Sequence, residues 1–219
     1  VVLFGFLVGS AAVAQPSPIN VSAMGVKKTA QFKIWKNNIE PMASLGTFAS
    51  GLFCSDKKEL RLNKNIDQYN VVRFTKVYNE KLAALGFPKF EGDESAFAEK
   101  LGEEADFNGG FTMLSLNYDA CGDDKEMSGK ATVKFKVEMF SNKSKKIAYS
   151  ATLNGSYASD KKIKIETFDE ALFASALDVM FADRKYVDIF KDGEQVAQAF
   201  DTQIDVVNGA KNAEGIRKN

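Results

Sequence analysis

An α+β domain is the fold class this sequence predicts: a mainly antiparallel sheet, with one parallel crossover pair and a three-strand meander, covered by two to three helices. Three observations carry that expectation. Residues 111–157 read as three successive strands, and apolar stripes of helical period run through residues 69–85 and 168–181. In the middle strand, residues 130–140, Ala131, Val133, Phe135, Val137 and Met139 alternate with Thr132, Lys134, Lys136 and Glu138. That is the period of a strand with one buried face and one wet face. In the third, residues 147–157, the apolar set is Ile147, Tyr149, Ala151 and Leu153. The connector 141–146 is short and polar, so these two strands should close an antiparallel hairpin. A meander with one apolar face has to cover that face with helices.

Composition narrows the chemistry. The 219 residues suffice for one well-packed domain with extensions. Lys+Arg and Asp+Glu both total 29, so no global charge draws the chain to nucleic acid or to an anionic membrane. Lysines cluster locally at Lys143, Lys145, Lys146, Lys161, Lys162 and Lys164, in turns or on exposed strand faces, which reads as solvated surface. There is no histidine. The commonest general base, the commonest zinc ligand and every Ser-His or Cys-His arrangement are therefore excluded.

Residues 1–14 are an uncharged apolar run, too short to span a bilayer. Ala12 and Ala14 have the small-residue spacing of a signal-peptidase site. The run reads as part of a secretory signal, with mature protein from Gln15 and a periplasmic destination. A buried apolar helix or strand is the competing reading, which the Ala-Val-Ala-Gln-Pro ending argues against. No cysteine follows the run, so no lipid-bearing Cys and no integral span of the mature chain are expected.

Residues 15–44 are expected to form an extended N-terminal segment, with a short strand possible at residues 31–36. Residues 45–190 are expected to form the single domain. Its first strand is placed at residues 45–53, ended by Cys54-Ser55-Asp56-Lys57-Lys58. The clearest helix is residues 69–85, where Val71, Phe74, Tyr78, Leu82 and Leu85 make one stripe. Asn65 or Asp67 would cap its start, and Gly86 then Pro88 would stop it. A second helix is expected at residues 94–105 behind Asp93. The helix at 168–181 would open on a capping box of Thr167 and Glu170, burying Phe168, Leu172, Ala176, Val179 and Met180. Residues 191–219 are expected to hold a short helix at 193–205 and a disordered tail.

The candidate chemistry is sparse. Asp119, Asp123, Asp124 and Glu126 surround Gly122 and would suit a hard cation, but their spacing is not that of a calcium loop. A solvated acidic turn is the simpler reading. Glu103 and Glu104 point to different faces of their helix, and Gly109-Gly110 precedes a strand rather than a phosphate-binding helix. No catalytic, cofactor-binding or metal-ligating residue is assigned, and no cofactor is expected. Cys54 and Cys121 are expected to form a disulfide. Export would place both in an oxidising compartment, and a crossover from the strand at 45–53 to that at 111–118 would bring them to one edge of the sheet. Two separately buried thiols are the alternative.

Several words recur in order: residues 78–87 (Tyr-Asn-Glu-Lys-Leu-Ala-Ala-Leu-Gly-Phe), 105–110 (Ala-Asp-Phe-Asn-Gly-Gly), 129–133 (Gly-Lys-Ala-Thr-Val) and 145–149 (Lys-Lys-Ile-Ala-Tyr). With the order of elements, residues 45–190 resemble the α+β domains of bacterial envelope accessory proteins. These are ABC-transporter auxiliary lipoproteins, penicillin-binding-protein activators and the Tol system's periplasmic protein. The chain departs from most of them in lacking the acylated cysteine after the signal. The resemblance implies a non-enzymatic part of an envelope protein complex that works by protein–protein contact, with no nucleic-acid partner. A periplasmic carrier holding an apolar ligand between sheet and helices is the alternative. An exported hydrolase using carboxylates alone ranks last, since no paired-carboxylate motif is present.

Overall fold

The computed structural model describes residues 16–62, 66–90, 104–191 and 202–203. The predicted signal at 1–14, the helix at 94–105 up to residue 103, and the tail at 208–219 lie outside them. The fold is α+β. Seven strands form one mixed sheet in the order β3-β2-β4-β5-β6-β7, with β1 also on β4. The strands are β1 Ala30–Asn37, β2 Ser44–Ser50, β3 Asp56–Arg61, β4 Phe107–Gly122, β5 Glu126–Ser141, β6 Lys146–Lys164 and β7 Thr202–Gln203. The helices are α1 Ile66–Ala84, α2 Ile165–Ala182 and α3 Arg184–Asp188.

The meander β4–β5–β6 is antiparallel throughout and dominates the sheet. Its strands extend beyond the apolar stretches that signal them, because sheet hydrogen bonding continues where both faces are polar. All five expected inward residues of β5 are buried. In β6, Tyr149, Ala151 and Leu153 are buried, but Ile147 is 41% exposed. The register slips between Met139 and Phe140, so Ala148 has no opposite number and Ile147 turns to the outer face beside Phe140.

A second slip falls between Met113 and Ser115, leaving Leu114 unpaired on β5. Before it β4 buries Phe107, Phe111 and Met113; after it, Leu116 and Ala120. The outer edge of β4 is shared. β1 runs parallel to its first half and β2 parallel to its second half. The expected parallel partner of β4 is thus present as β2, and β1 adds another, as does β7 on β6. β1 is the short strand expected at residues 31–36, within the stretch 15–44 that was placed outside the sheet domain. It joins the sheet because Phe32 and Trp35 reach the aromatic core.

Three further expectations about local structure are corrected. Residues 54–58 do not simply end the preceding strand: Leu52–Cys54 form one 3-10 turn and β3 follows at once. Nor does the Thr167–Glu170 capping box form. β6 runs straight into α2 through Lys164, and the first-turn Ile165 N–H donates to Lys125 O at 3.0 Å. Glu170 is drawn instead to Lys76 of α1, 2.9 Å away. Further along the chain, residues 202–203 belong to strand β7, not to the helix expected at 193–205. The rest of that helix lies outside the described residues.

The helices share one face of the sheet. α1 stops where the sequence indicates: Gly86 has φ 82°, its N–H reaches Ala83 O at 3.1 Å, and Phe87 N–H reaches Leu82 O at 3.0 Å. That pair of bonds is the Schellman closure, which needs a left-handed residue. α2 lies close over β6 because Gly155 has no side chain. A Cβ there would come within 2.8 Å of Ala176 Cβ and of its backbone nitrogen. Phe74, Tyr78 and Leu82 of α1 are buried, as are Phe168, Leu172, Ala176, Val179 and Met180 of α2.

Phe74→Ala is expected to lower stability by roughly 3–5 kcal/mol, the range for truncating a core Phe. Chemical denaturation reads this directly, and an unmoved midpoint would refute the packing role.

Candidate partner-binding edge and its braced tip

β3 is the outermost strand beyond β2. Asp56, Lys57, Lys58, Glu59 and Arg61 are exposed, and only Leu60 is half-buried. Among the described residues no strand lies beyond it, so its outer N–H and C=O groups form an open edge. A strand wet on both faces has no reason to alternate apolar and polar residues. That is why the sequence pattern missed it.

The β2–β3 connection carries the other exposed feature. Phe53 is 91% exposed, and it and Cys54 both have left-handed backbone, with φ of 66° and 57°. Gly51, φ 82°, makes the preceding bend. A non-glycine residue in that region costs on the order of 1 kcal/mol. Met42, before β2, is also left-handed at φ 65° and 62% exposed, and its carbonyl accepts from Arg61 Nη1 at 3.1 Å.

The tip is held by a covalent brace. Cys54 and Cys121 form a disulfide, with Cα atoms 5.7 Å apart. Parallel pairing of Ala49 with Cys121 brings the end of β2 beside β4, so Cys54, just past that end, reaches its partner. β4 continues through Cys121 to Gly122, so the bridge attaches the tip to a strand and not to a loop.

The other candidate groups do not converge. Asp123 Oδ1 accepts the backbone N–H groups of Lys125 and Glu126 at 2.9 and 3.0 Å, and these bonds hold its carboxyl below the usual range. Asp119 accepts from Thr47 Oγ1 at 3.3 Å. Among the described residues no group of three or more His, Cys, Asp or Glu is placed to hold a metal ion. Glu104 sits 3.9 Å from Lys145, Glu103 lies outside the described residues, and Gly109-Gly110 are inside β4.

Two polar clusters lie under the helices instead. Asp169 of α2 receives Arg73 Nη1 at 2.6 Å and the Tyr118 hydroxyl at 2.9 Å, tying α1, α2 and β4 together. Burial pushes its carboxyl upward against the pull of Tyr118 and Arg73. Tyr78 and Tyr186 hydroxyls meet at 3.3 Å, and Tyr149 donates to Asp183 at 3.1 Å. Both clusters are enclosed by packed side chains and read as ties within the fold.

A groove of about 360 Å³ runs between β1 and α1, lined by Phe32, Leu82 and Phe87 together with Gln31, Asn79 and Lys89. It is open on one side. No helix among the described residues is long and apolar enough to cross a membrane.

No family model matches the chain, and no curated protein matches it. Solved structures similar to it include protein XCC0632 from Xanthomonas campestris, assigned to the family model DUF330. That likeness has a TM-score of 0.37 at 9% identity, over 80% of this chain and 92% of that one. The hypothetical protein CT253 from Chlamydia trachomatis aligns with a TM-score of 0.39 at 14% identity, over 74% and 95%. A neuraminyllactose-binding hemagglutinin homolog from Helicobacter pylori aligns at 0.31 and 10%, over 83% and 96%. None of the three is named for an ABC transporter, a penicillin-binding protein or the Tol system, and no role passes from them to this chain.

Thiol titration of the denatured, unreduced protein is expected to find no free cysteine. Replacing both by Ala should cost roughly 4 kcal/mol, from the loop-closure entropy of a cross-link this long; its separation is 67 residues. An unchanged denaturation midpoint would overturn the bracing role.

Burial raises the phenols of Tyr78, to about 12, and of Tyr118, Tyr149 and Tyr186 above the usual range. The folded chain keeps these protons where the unfolded chain gives them up. Their contribution is therefore intact below pH about 10 and is lost as pH rises from there toward the folded values. Tyrosinate absorbance from these four should appear only together with loss of the circular dichroism signal. Their ionisation in a folded chain at pH 11 would refute the burial argument.

Proposed function

We propose that this chain is an exported, non-enzymatic accessory or assembly protein of a bacterial cell-envelope complex, acting in the periplasm through protein–protein contacts. The observation that carries the reading is the open β3 edge with its braced, solvent-facing tip. An uncovered edge can accept a strand from another chain, and the charges of β3 restrict which chain can add there. The apolar run at 1–14 and the Cys54–Cys121 bridge support export, since disulfides persist in oxidising compartments. The absence of histidine supports a non-catalytic role. Within that class, the resemblance of residues 45–190 to ABC-transporter auxiliary lipoproteins, penicillin-binding-protein activators and the Tol periplasmic protein names the kind of machine.

The groove beside β1 favours a second reading, a carrier of an apolar ligand. Its volume is at the low end of small-molecule sites, about 300–1,000 Å³. It is open and partly polar, which suits a ligand less well than an enclosed apolar cavity would.

The test is isolation of the tagged full chain from its native envelope without reductant. The expected result is a mature mass beginning at Gln15 and stable co-migration with one envelope protein at a fixed ratio. A chain that migrates alone overturns the assembly role, and co-purified lipid in the groove favours the carrier. An intact mass retaining residues 1–14 overturns export by cleavage.

A further inference from the structure

We propose that the β2–β3 tip is a docking knob, with Phe53 entering an apolar pocket of a partner protein beside the free edge of β3. This rests on the partner-binding reading above and names its contact residue and the shape of the contact. Phe53 is the most exposed large hydrophobic side chain among the described residues, at 91%. Its left-handed backbone is shared with Cys54, and the bridge from Cys54 to Cys121 ties that turn to β4. An exposed ring contributes nothing to the core. Local strain that the surrounding structure enforces points to a use outside the fold.

Shape and charge select the partner. The tip is a five-residue connection, 51–55, that carries Phe53 at 91% exposure, so the complement of the ring is a pocket. Rigid aromatic anchors seated in pockets dominate protein interfaces. The same end of the sheet carries Asp56, Asp123 and Asp124 interleaved with Lys57, Lys58, Lys125 and Lys162. An anionic bilayer would attract the lysines and repel the carboxylates, gaining little net steering. A protein surface of mixed sign can match both. A second copy fits poorly, because two-fold antiparallel pairing of β3 brings one of its residues against its own mate at the axis. In the two registers that pair five of the six residues of β3, that residue is Lys58 or Glu59, and like charges meet.

The test places a photo-crosslinking amino acid in the full chain at position 53, at Lys58 of β3, or at Val72, which is 71% exposed on α1. The expected result in the native envelope is a discrete adduct with one protein from position 53 and none from 72. That protein, purified, should bind Phe53→Leu within about threefold of the parent and Phe53→Ser roughly 30-fold or more weakly. Circular dichroism and the absence of free thiols establish that both variants are folded. Adducts from 58 but not from 53, or an unchanged affinity of Phe53→Ser, overturn the knob and leave the edge reading standing. Adducts at 53 with lipid or with a second copy of the chain overturn the partner assignment. No adduct at either 53 or 58 overturns the knob and the edge reading together.

Discussion

Phe74 is in ring contact with Phe32, Trp35, Phe111, Phe135 and Phe173, at centroid separations of 4.6 to 5.6 Å. Those five rings come from β1, β4, β5 and α2, so one side chain of α1 touches four other elements. Ring pairs at tilted and edge-on angles add to the area they bury. The cluster fixes how deep α1 sits, and α2 is set by the same rings from the other side. It also recruits β1: Phe32 and Trp35 give that strand an apolar side, beside its backbone bonds to β4 and the bond from Gln31 Nε2 to Asn108 Oδ1. The indole nitrogen of Trp35 is buried without a hydrogen-bond partner. An unsatisfied donor of this kind costs free energy, and the packing of the indole among Phe74, Phe135 and Phe173 offsets it.

With the described helices on one face, the other face of the meander is left to Thr132, Lys134, Lys136 and Glu138 and their neighbours. Polar ties hold the covered side in place. Arg73 and Tyr118 both bond Asp169, and Lys81 pairs with Asp178, so α1 is fastened to α2 along its length. An ion pair as buried as Arg73–Asp169 contributes little net stability, because desolvation offsets most of the attraction. Its effect is on register: it disfavours any sliding of α1 over α2 that would leave Asp169 alone.

The meander, α1 and α2 were legible in the sequence because each buries one face, and one buried face imposes a period. The Val133–Phe135–Val137 alternation and the Phe74–Tyr78–Leu82 stripe are direct prints of that burial. Gly86 was legible for another reason, since the left-handed closure of α1 requires it. What escaped had no such print. β3 is wet on both faces, and Asp56-Lys57-Lys58 reads like a loop. The bulges at Leu114 and Ala148 shift the phase of β4 and β6 without any marker residue, which is why Ile147 was assigned to the wrong face. Arg73, Asp169 and Tyr118 are far apart in the chain, and only the packed helices bring them together. The Cys54–Cys121 bridge could be argued from topology because it depends on which strands are neighbours. Phe53 could not, because exposure of an aromatic residue leaves no pattern in its neighbours.

The pairing of β1 and β2 with β4 has a consequence for the order of events during synthesis. Ala30 pairs alongside Phe107, 77 residues later, and Ala49 alongside Cys121, 72 residues later. A growing chain therefore presents β1, β2 and β3 for several seconds before their partner exists, at ordinary rates of about 5–20 residues per second. In that interval the early strands are an unprotected hairpin and a lone edge, and Cys54 is made before its partner Cys121. The hazard is intermolecular, between two nascent chains that each carry one thiol. The four charged residues among the first four positions of β3, Asp56, Lys57, Lys58 and Glu59, lie directly after that thiol and discourage such encounters until β4 arrives.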